Sequence, residues 1–304
     1  VLMKNENNIV RKLFFHLYFI YRVLFINRTT IVYSRNLSIV FLALKLGFKG
    51  VWEAHDLPKD SNKKFLKALI NKCRIISISQ ALADKIYEDY AVKKELILIA
   101  HDGVDIDIYD RLRNIDVSVI RRKFNIPLNR KVILHSGSIM KERGSALIKD
   151  VLDNLPDWYF IQVGGKTIDI DLLKKDLISY PNFAVISNQK VEDLVQLQLC
   201  SEALFYMITK ETSTYWCCSP MKIFEYLAAG KPIVASNIGS LNEILSNEVA
   251  YLFDPEDKVT LRNSLSQLND EKSSAIISKN AINLVRQKFT WDIRALQILK
   301  FLEE

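Results

Sequence analysis

The stretch SPMKIFEYLAAGKPIVAS, residues 219–236, holds one acidic side chain, Glu225, in an apolar segment bracketed by Pro220 and the turn Gly230-Lys231-Pro232. Ser219 has the character of an N-cap, Pro220 suits the first helical position, and Gly230 supplies a left-handed stop, which together set a helix of about three turns. Behind the turn, the β-branched run PIVAS reads as a short strand buried on both faces. Helix, tight turn and strand form half of a parallel α/β unit. Ile223 and Leu227 share one face of the helix, and Phe224 and Ala228 the next, so the core side is filled without Glu225. Its carboxylate is then either a solvated surface group or a group aimed at the hydroxyls of a ligand whose phosphates rest on the helix start. In the second case its removal is expected to leave the stability of the empty protein unchanged.

Outward from this stretch the chain alternates strands with helices. In the first half, TIVYSRN, KGVWEAHD, CRIISISQ and LILIAHDGVD read as strands, separated by the helical segments LSIVFLALKLG, 61–72 and ALADKIYEDYA. Residues 1–30 open this half as a helix with no strand before it. In the second half KVILHSGS, WYFIQVGG, FAVIS, EALFYMI, PIVAS and AYLFD read as strands, with SALIKDVLDNL, VEDLVQLQLCS, the glutamate segment and a segment from about 258 as helices. Such alternation predicts doubly wound parallel sheets. The charged segment 110–130, with a break at Pro127, interrupts the rhythm. It sets the expected division into residues 1–125, residues 126–286 and a terminal helix over 287–304.

A chain of 304 residues with 49% apolar composition can fill two cores. Its formal charge of +7 favours anionic partners such as nucleotides, phosphates or an anionic membrane surface. The basic residues form no single block, and no nucleic-acid partner is expected. Cys73, Cys200, Cys217 and Cys218 lack metal-ligand spacing and suit reduced thiols in the cytoplasm. The apolar run LFFHLYFIYRVLFI, residues 13–26, is interrupted by His16 and Arg22 and is too short to span a bilayer. With Arg11, Lys12, Arg22 and Arg28 among its aromatics, it suits contact with the inner face of a membrane, although burial in the first domain is the expected fate of most of those aromatics.

Four stretches fall at predicted strand ends, where open α/β sheets place their ligands: EAHD at 53–56, HDGVD at 101–105, GSIMKERG at 137–144, and the glutamate helix. In GSIMKERG the glycines allow close backbone approach, and Lys141 and Arg143 bring positive charge ahead of a helix, as a diphosphate requires. An ordinary strand-helix turn would look the same. His55 beside Asp56 reads equally as a polar contact to a ligand or as a hydrogen-bonded structural histidine. HDGVD reads as a tight turn at Gly103, and the glycine pair of VGG, residues 163–165, carries less information still. No metal cluster, Walker loop or nucleophile elbow is present in the sequence.

Taken together, SPMKIFEYLAAGKPIVASNIGSLNEIL, WEAHDLP, ISISQALADKI, HDGVD, SGSIMKERG and FTWDIRAL resemble, in order, segments of glycosyltransferase family 4. The resemblance implies the GT-B fold, an α/β architecture of two facing Rossmann-like domains with parallel sheets. It also implies a retaining, metal-independent sugar transfer from a nucleotide diphosphate sugar to a glycan or lipid-linked acceptor, with no further cofactor. By the same resemblance Glu225 binds the ribose hydroxyls, and Gly137, Ser138, Lys141, Ser219, Pro220, Met221 and Lys222 complete the donor site. Arg143 would stabilise the leaving diphosphate and His55 would contact the donor sugar from across the cleft, while the helix around Trp291 crosses back to the first domain. Three features depart from the family pattern. Cys217 stands where a first glutamate is common, Ser138 stands where an arginine is common, and the opening strand and glycine-rich loop are missing, so the first domain is expected to be incomplete at its start. Two other readings fit the same sheets: a nonenzymatic GT-B-like module that binds nucleotide or a membrane surface, and a GT-B nucleotide-sugar epimerase.

Overall fold

The computed structural model describes residues 2–140 and 144–303, and for residues 2–9, 11 and 12 the backbone alone. The chain forms two compact units. Unit 1 runs to Ala100 and regains the chain from Phe301 onward, and unit 2 spans His101–Lys300.

Unit 1 opens with α1 (Leu2–Val23) and continues through β1 (Ile31–Ser34), α2 (Leu37–Lys45), β2 (Lys49–Ala54), α3 (Asp60–Leu69), β3 (Arg74–Ser77), α4 (Gln80–Tyr90) and β4 (Ile97–Ile99). The four strands form one parallel sheet in sequential order, with Val51 opposite Tyr33 on one side and Arg74 on the other. Local chemistry fixes the helix starts, since the Asn36 side chain accepts the Ser38 N–H at 3.0 Å and Ser79 Oγ accepts the Leu82 N–H at 3.3 Å. At the other end of α4, Ala91 closes the helix in the left-handed region at φ 51°. α1 buries Val23 with Ala43 and Phe48. Leu13, Phe14, Phe15, Leu17, Tyr18, Tyr21, Leu24 and Phe25 are instead exposed. The expected burial of most of these aromatics is therefore not met: among the described aromatics of the segment Phe19 packs inward, beside Val23.

Unit 2 begins with α5 (Ile106–Leu112) and α6 (Val117–Lys123) and then builds β5 (Val132–Ser136), α7 (Leu147–Asn154), β6 (Tyr159–Val163), α8 (Thr167–Asp176) and β7 (Phe183–Ile186). It continues with α9 (Val191–Leu199), β8 (Ala203–Tyr206), α10 (Met221–Ala229), β9 (Ile233–Ser236), β10 (Tyr251–Phe253), α11 (Lys258–Ser266), α12 (Glu271–Lys288) and α13 (Trp291–Glu303). Its six parallel strands lie in the order β10-β9-β8-β5-β6-β7. That is a doubly wound order, which reverses direction between β5 and β8 and leaves a crevice at their carboxyl ends. β5, β8 and β9 are buried on both faces, in keeping with their largely apolar sequences, and β5 and β9 end in the buried polar residues Ser136 and Ser236.

The division between units falls at Ala100, ahead of the expected position near 125. Charge made the 110–130 segment look like a connection, but its two helices are integral to unit 2. Tyr109 Oη donates to Gln198 Oε1 at 2.7 Å, and the buried Arg121 guanidinium donates to the Cys200, Pro127 and Arg130 carbonyls and to Glu202 at 2.6 Å. HDGVD is tied in as well, since Val104 N–H donates to Phe289 O at 3.0 Å and Trp291 N–H to Val104 O at 3.3 Å. Gly103 thus serves close backbone approach, and not a tight turn: a Cβ there would lie 2.8 Å from the Thr290 carbonyl carbon. From Phe301 the chain groups with unit 1, where the Phe301 ring centre lies 5.0 Å from the Arg74 guanidinium.

Candidate functional site

Five of the residues expected at the donor site, Gly137, Ser138, Pro220, Met221 and Lys222, lie where the sheet of unit 2 reverses. β5 ends in Ser136 and passes into Gly137, whose φ of 126° no β-carbon would tolerate easily. Gly164 and Gly165 follow β6 with φ of 78° and 124° and face the same space. Gln162, fully buried on β6, donates through Nε2 to the carbonyls of Gly137, Val163 and Gly164 at 3.0 to 3.1 Å, which pins both glycine turns to one amide. These turns enclose a cavity of about 380 Å³ with Ser138, Asn188 and Lys222. A second cavity of about 200 Å³ shares Gly137, Ser138 and Lys222 and adds His135, Tyr206, Pro220 and Met221.

α10 presents its start to this space. Its first turn has no side-chain cap, so the N–H groups of Met221 and Lys222 are the donors it offers, Pro220 having none. Ser219 is not the cap expected from sequence, because Pro220 takes the cap position and Ser219 Oγ accepts the Asp102 N–H at 2.8 Å. The helix ends as expected at Gly230, φ 65°, where an added Cβ would meet Ile282 at 2.3 Å. Its inner face buries Ile223, Phe224, Tyr226, Leu227 and Ala228.

Glu225 is not a freely solvated surface group, because its carboxylate has partners within the fold. Lys222 Nζ donates to both of its oxygens, at 3.1 and 3.0 Å, and Gln198 Nε2 donates to Oε2 at 3.2 Å. Its side chain is 17% exposed and that of Lys222 30%, so the pair sits at the rim of the site. Gln198 is fully buried and would lose an acceptor on removal of Glu225, so this geometry sets a different expectation for the empty protein, a loss of stability.

Of the residues expected from sequence, Gly137, Ser138, Pro220, Met221 and Lys222 line the two cavities, and Glu225 joins them through Lys222. Ser219 supports the loop before α10. Lys141 and Arg143 lie outside the described residues. His55 stands in unit 1 at the carboxyl end of β2, where its Nε2 donates to Glu53 Oε1 at 2.7 Å. There it lines a cavity of about 410 Å³ with Arg35, Asn36, Asp56, Lys59 and Asn62. His101 Nε2 lies 3.4 Å from Glu243, and its carbonyl accepts from Arg294 Nε at 3.0 Å. Sequence reading missed Gln162, Gln198, Tyr109 and Asn188, and undervalued the glycine pair 164–165. The turn signal of two glycines directly after an apolar run was available for the last.

Two units with parallel sheets, the second doubly wound with its cavities at the reversal point, define a GT-B fold, the fold of the solved glycosyltransferases this chain resembles. Residues 116–284, more than half of the chain, match the family described as glycosyl transferases group 1, and the chain belongs to that family. A solved glycosyltransferase from Rickettsia africae superposes with a TM-score of 0.75 at 18% identity, over 90% of this chain and 76% of that one. Alr3699/HepE of Anabaena, solved in complex with UDP and glucose, superposes with a TM-score of 0.72 at 19% identity, over 90% and 77%. Among curated sequences, TuaH of Bacillus subtilis, named for glycosyl transfer in teichuronic acid biosynthesis, is 21% identical over 210 residues, 68% of this chain and 51% of TuaH. The chain spans about half the length of such curated relatives.

Proposed function

We propose that this chain transfers a sugar from a nucleotide diphosphate sugar to a glycan or lipid-linked acceptor, with retention and without a bound metal, as expected of glycosyltransferase family 4. The observation that carries the reading is Glu225 on α10, ion-paired with Lys222, which lines the cavity at the Gly137 turn where the sheet reverses. A carboxylate there can accept both hydroxyls of a ribose, while the Met221 and Lys222 N–H groups and the Lys222 ammonium meet the diphosphate. As the bond from sugar to diphosphate loosens, negative charge grows on the leaving group. Those donors, with Lys141 and Arg143, which follow β5 in sequence, are assigned to receive it. His55 is assigned to the donor sugar; its pairing with Glu53 fixes the ring orientation. The exposed aromatics of α1 favour a peripheral place on a membrane, and no described helix is long and apolar enough to cross one.

Thermal shift with UDP, GDP and ADP tests the first step. A specific ligand at a hundred times its dissociation constant adds about 2.7 kcal/mol of stability. Incubation with the matching sugar nucleotides and a glycan acceptor then tests transfer. Nucleotide binding with neither transfer nor hydrolysis would leave the nonenzymatic reading, and an isomerised sugar nucleotide would indicate the epimerase. No binding by any of the three nucleotides would overturn the donor site.

A further inference from the structure

We infer that Gln198 and Tyr109 are positioning residues that hold the Glu225 carboxylate in the orientation a ribose diol requires. The inference rests on the donor-site reading above and concerns how that site is kept ready.

Gln198 lies on α9 with no exposed surface, and Tyr109 on α5 is 2% exposed. Two polar side chains this deep in an apolar core are costly unless each finds its partners. The partners form a directed chain. A primary amide can face either way, and the Glu225 carboxylate, which only accepts, draws Nε2 toward its Oε2 at 3.2 Å, while the Tyr109 hydroxyl donates to Oε1 at 2.7 Å and holds the other end of the amide in place. Burial, with the Glu225 charge adding to it, pushes the Tyr109 phenol well above its usual range, so the hydroxyl keeps its proton and remains the donor.

The second partner of Glu225 is of a different kind. Lys222 reaches both carboxylate oxygens from the same helix on a long flexible stem, and it also lines both cavities. A carboxylate offers about four acceptor positions. Lys222 and Gln198 fill three of them between them. When two ribose hydroxyls arrive, one of these donors must yield, and Lys222 is the one free to swing toward the diphosphate. Gln198, locked by Tyr109, stays. The carboxylate therefore keeps its plane while its neutralising cation is exchanged for the ligand.

A relay that merely satisfied buried groups would affect stability alone. A positioning relay also affects discrimination between a ribose and its 2′,3′-dideoxy counterpart. The test takes whichever of UDP, GDP and ADP binds best and titrates it and its 2′,3′-dideoxy analogue calorimetrically against wild type, Gln198→Met, Tyr109→Phe and Glu225→Ala. Wild type should prefer the ribose form at least tenfold. In Gln198→Met and Tyr109→Phe that preference should fall at least threefold, with affinity for the dideoxy form within twofold of wild type. Combined with Glu225→Ala, neither substitution should change the preference further. If Gln198→Met does not fold, Tyr109→Phe decides, since it keeps the ring and removes only the hydroxyl. An unchanged preference in Tyr109→Phe, where Glu225→Ala abolishes it, would overturn the positioning role and leave the donor site standing. Retention of the full preference by Glu225→Ala would instead remove the donor site, and this inference with it.

Discussion

The Tyr226 hydroxyl accepts the N–H of Ser136 at 2.8 Å, joining the middle of α10 to the last residue of β5. Tyr226 is the neighbour of Glu225 in sequence but points into the core, where burial raises its phenol far above the ordinary value. The two residues divide one helix between anchor and site.

Tyr226→Phe should therefore destabilise the protein and disturb the site together. Its loss leaves the buried Ser136 N–H without this acceptor, which costs about 1–3 kcal/mol. For a unit of this size that is a fall in thermal midpoint of roughly 2–10 °C. Nucleotide affinity should weaken as well, because Ser136 and Gly137 line the cavity. A midpoint equal to that of wild type would show that another acceptor replaces the hydroxyl.

The alternation of strands and helices, and Glu225 itself, were legible in the sequence because period and punctuation are local signals. α10 and β9 illustrate this, with Gly230 and Pro232 marking the turn between them. α8 and α12 were not read. α8 buries only Leu173, and α12 turns inward a sparse set that includes Ser274 and Ala281, so neither shows a continuous apolar stripe. The relay behind Glu225 was out of reach for a different reason: Tyr109 and Gln198 are 89 residues apart, and Gln198 and Glu225 27 apart, so only the folded sheet brings them together.

The unit boundary gives a second prediction. A fragment of residues 101–300 should unfold cooperatively, whereas one of residues 126–300 should be strongly destabilised or fail to fold. The shorter fragment lacks Arg121, and so leaves Glu202 and the Cys200 carbonyl without the guanidinium they share. Glu202 is half exposed and can be hydrated, so the loss comes mainly from the buried Cys200 carbonyl left without its donor, about 1–3 kcal/mol, and from the apolar surface that α5 and α6 no longer cover in the shorter fragment. Equal denaturant midpoints for the two fragments would return the boundary to the position read from sequence.

Thiol reactivity should be selective. Burial pushes the Cys73 thiol up to about 12 and that of Cys200 up to about 11, and Cys217 is buried, while Cys218 is partly exposed. At pH 8 a disulfide reagent should label Cys218 quickly and the other three only after unfolding. Because the folded values of Cys73 and Cys200 lie above the unfolded one, their contribution to stability is intact below about pH 8.5 and is lost as pH rises toward 11 and 12. Mass-spectrometric mapping of labelled peptides would check the assignment, and rapid native labelling of Cys73 or Cys200 would contradict it.

Contact of α1 with a membrane should depend on both charge and apolar surface. Leu13, Phe14, Tyr18 and Tyr21 are exposed on a helix that also carries Arg22, and Phe25 is exposed just beyond its end. Sedimentation with vesicles containing anionic phospholipid should retain the protein at low ionic strength and release much of it at high salt, while vesicles of neutral phospholipid should retain less. Phe14→Ser combined with Phe25→Ser should weaken binding without shifting the thermal midpoint by more than a degree or two, since both rings are solvent-facing. Absence of binding at low salt would remove the membrane role.

Glu225 allows the most discriminating measurement, because its two partners predict different outcomes for two substitutions. Glu225→Ala removes the acceptor for Gln198 Nε2 and the counter-charge for Lys222. The buried amide then lacks that partner, so the midpoint of the empty protein should fall by a few degrees, and nucleotide affinity should fall at least tenfold with the loss of charge-assisted bonds to the ribose. Glu225→Gln keeps an oxygen that can accept from Gln198 and discards the charge. Its midpoint should return most of the way to wild type, while nucleotide affinity stays several-fold reduced, because a neutral amide oxygen is a poorer acceptor for the diol than a carboxylate. A structural glutamate would make stability and affinity fall and recover together across the two variants. A surface glutamate would change neither. Stability rescued by glutamine with affinity still impaired is the pattern expected of a residue that the fold holds in place for a ligand, and full recovery of both would withdraw the ribose assignment.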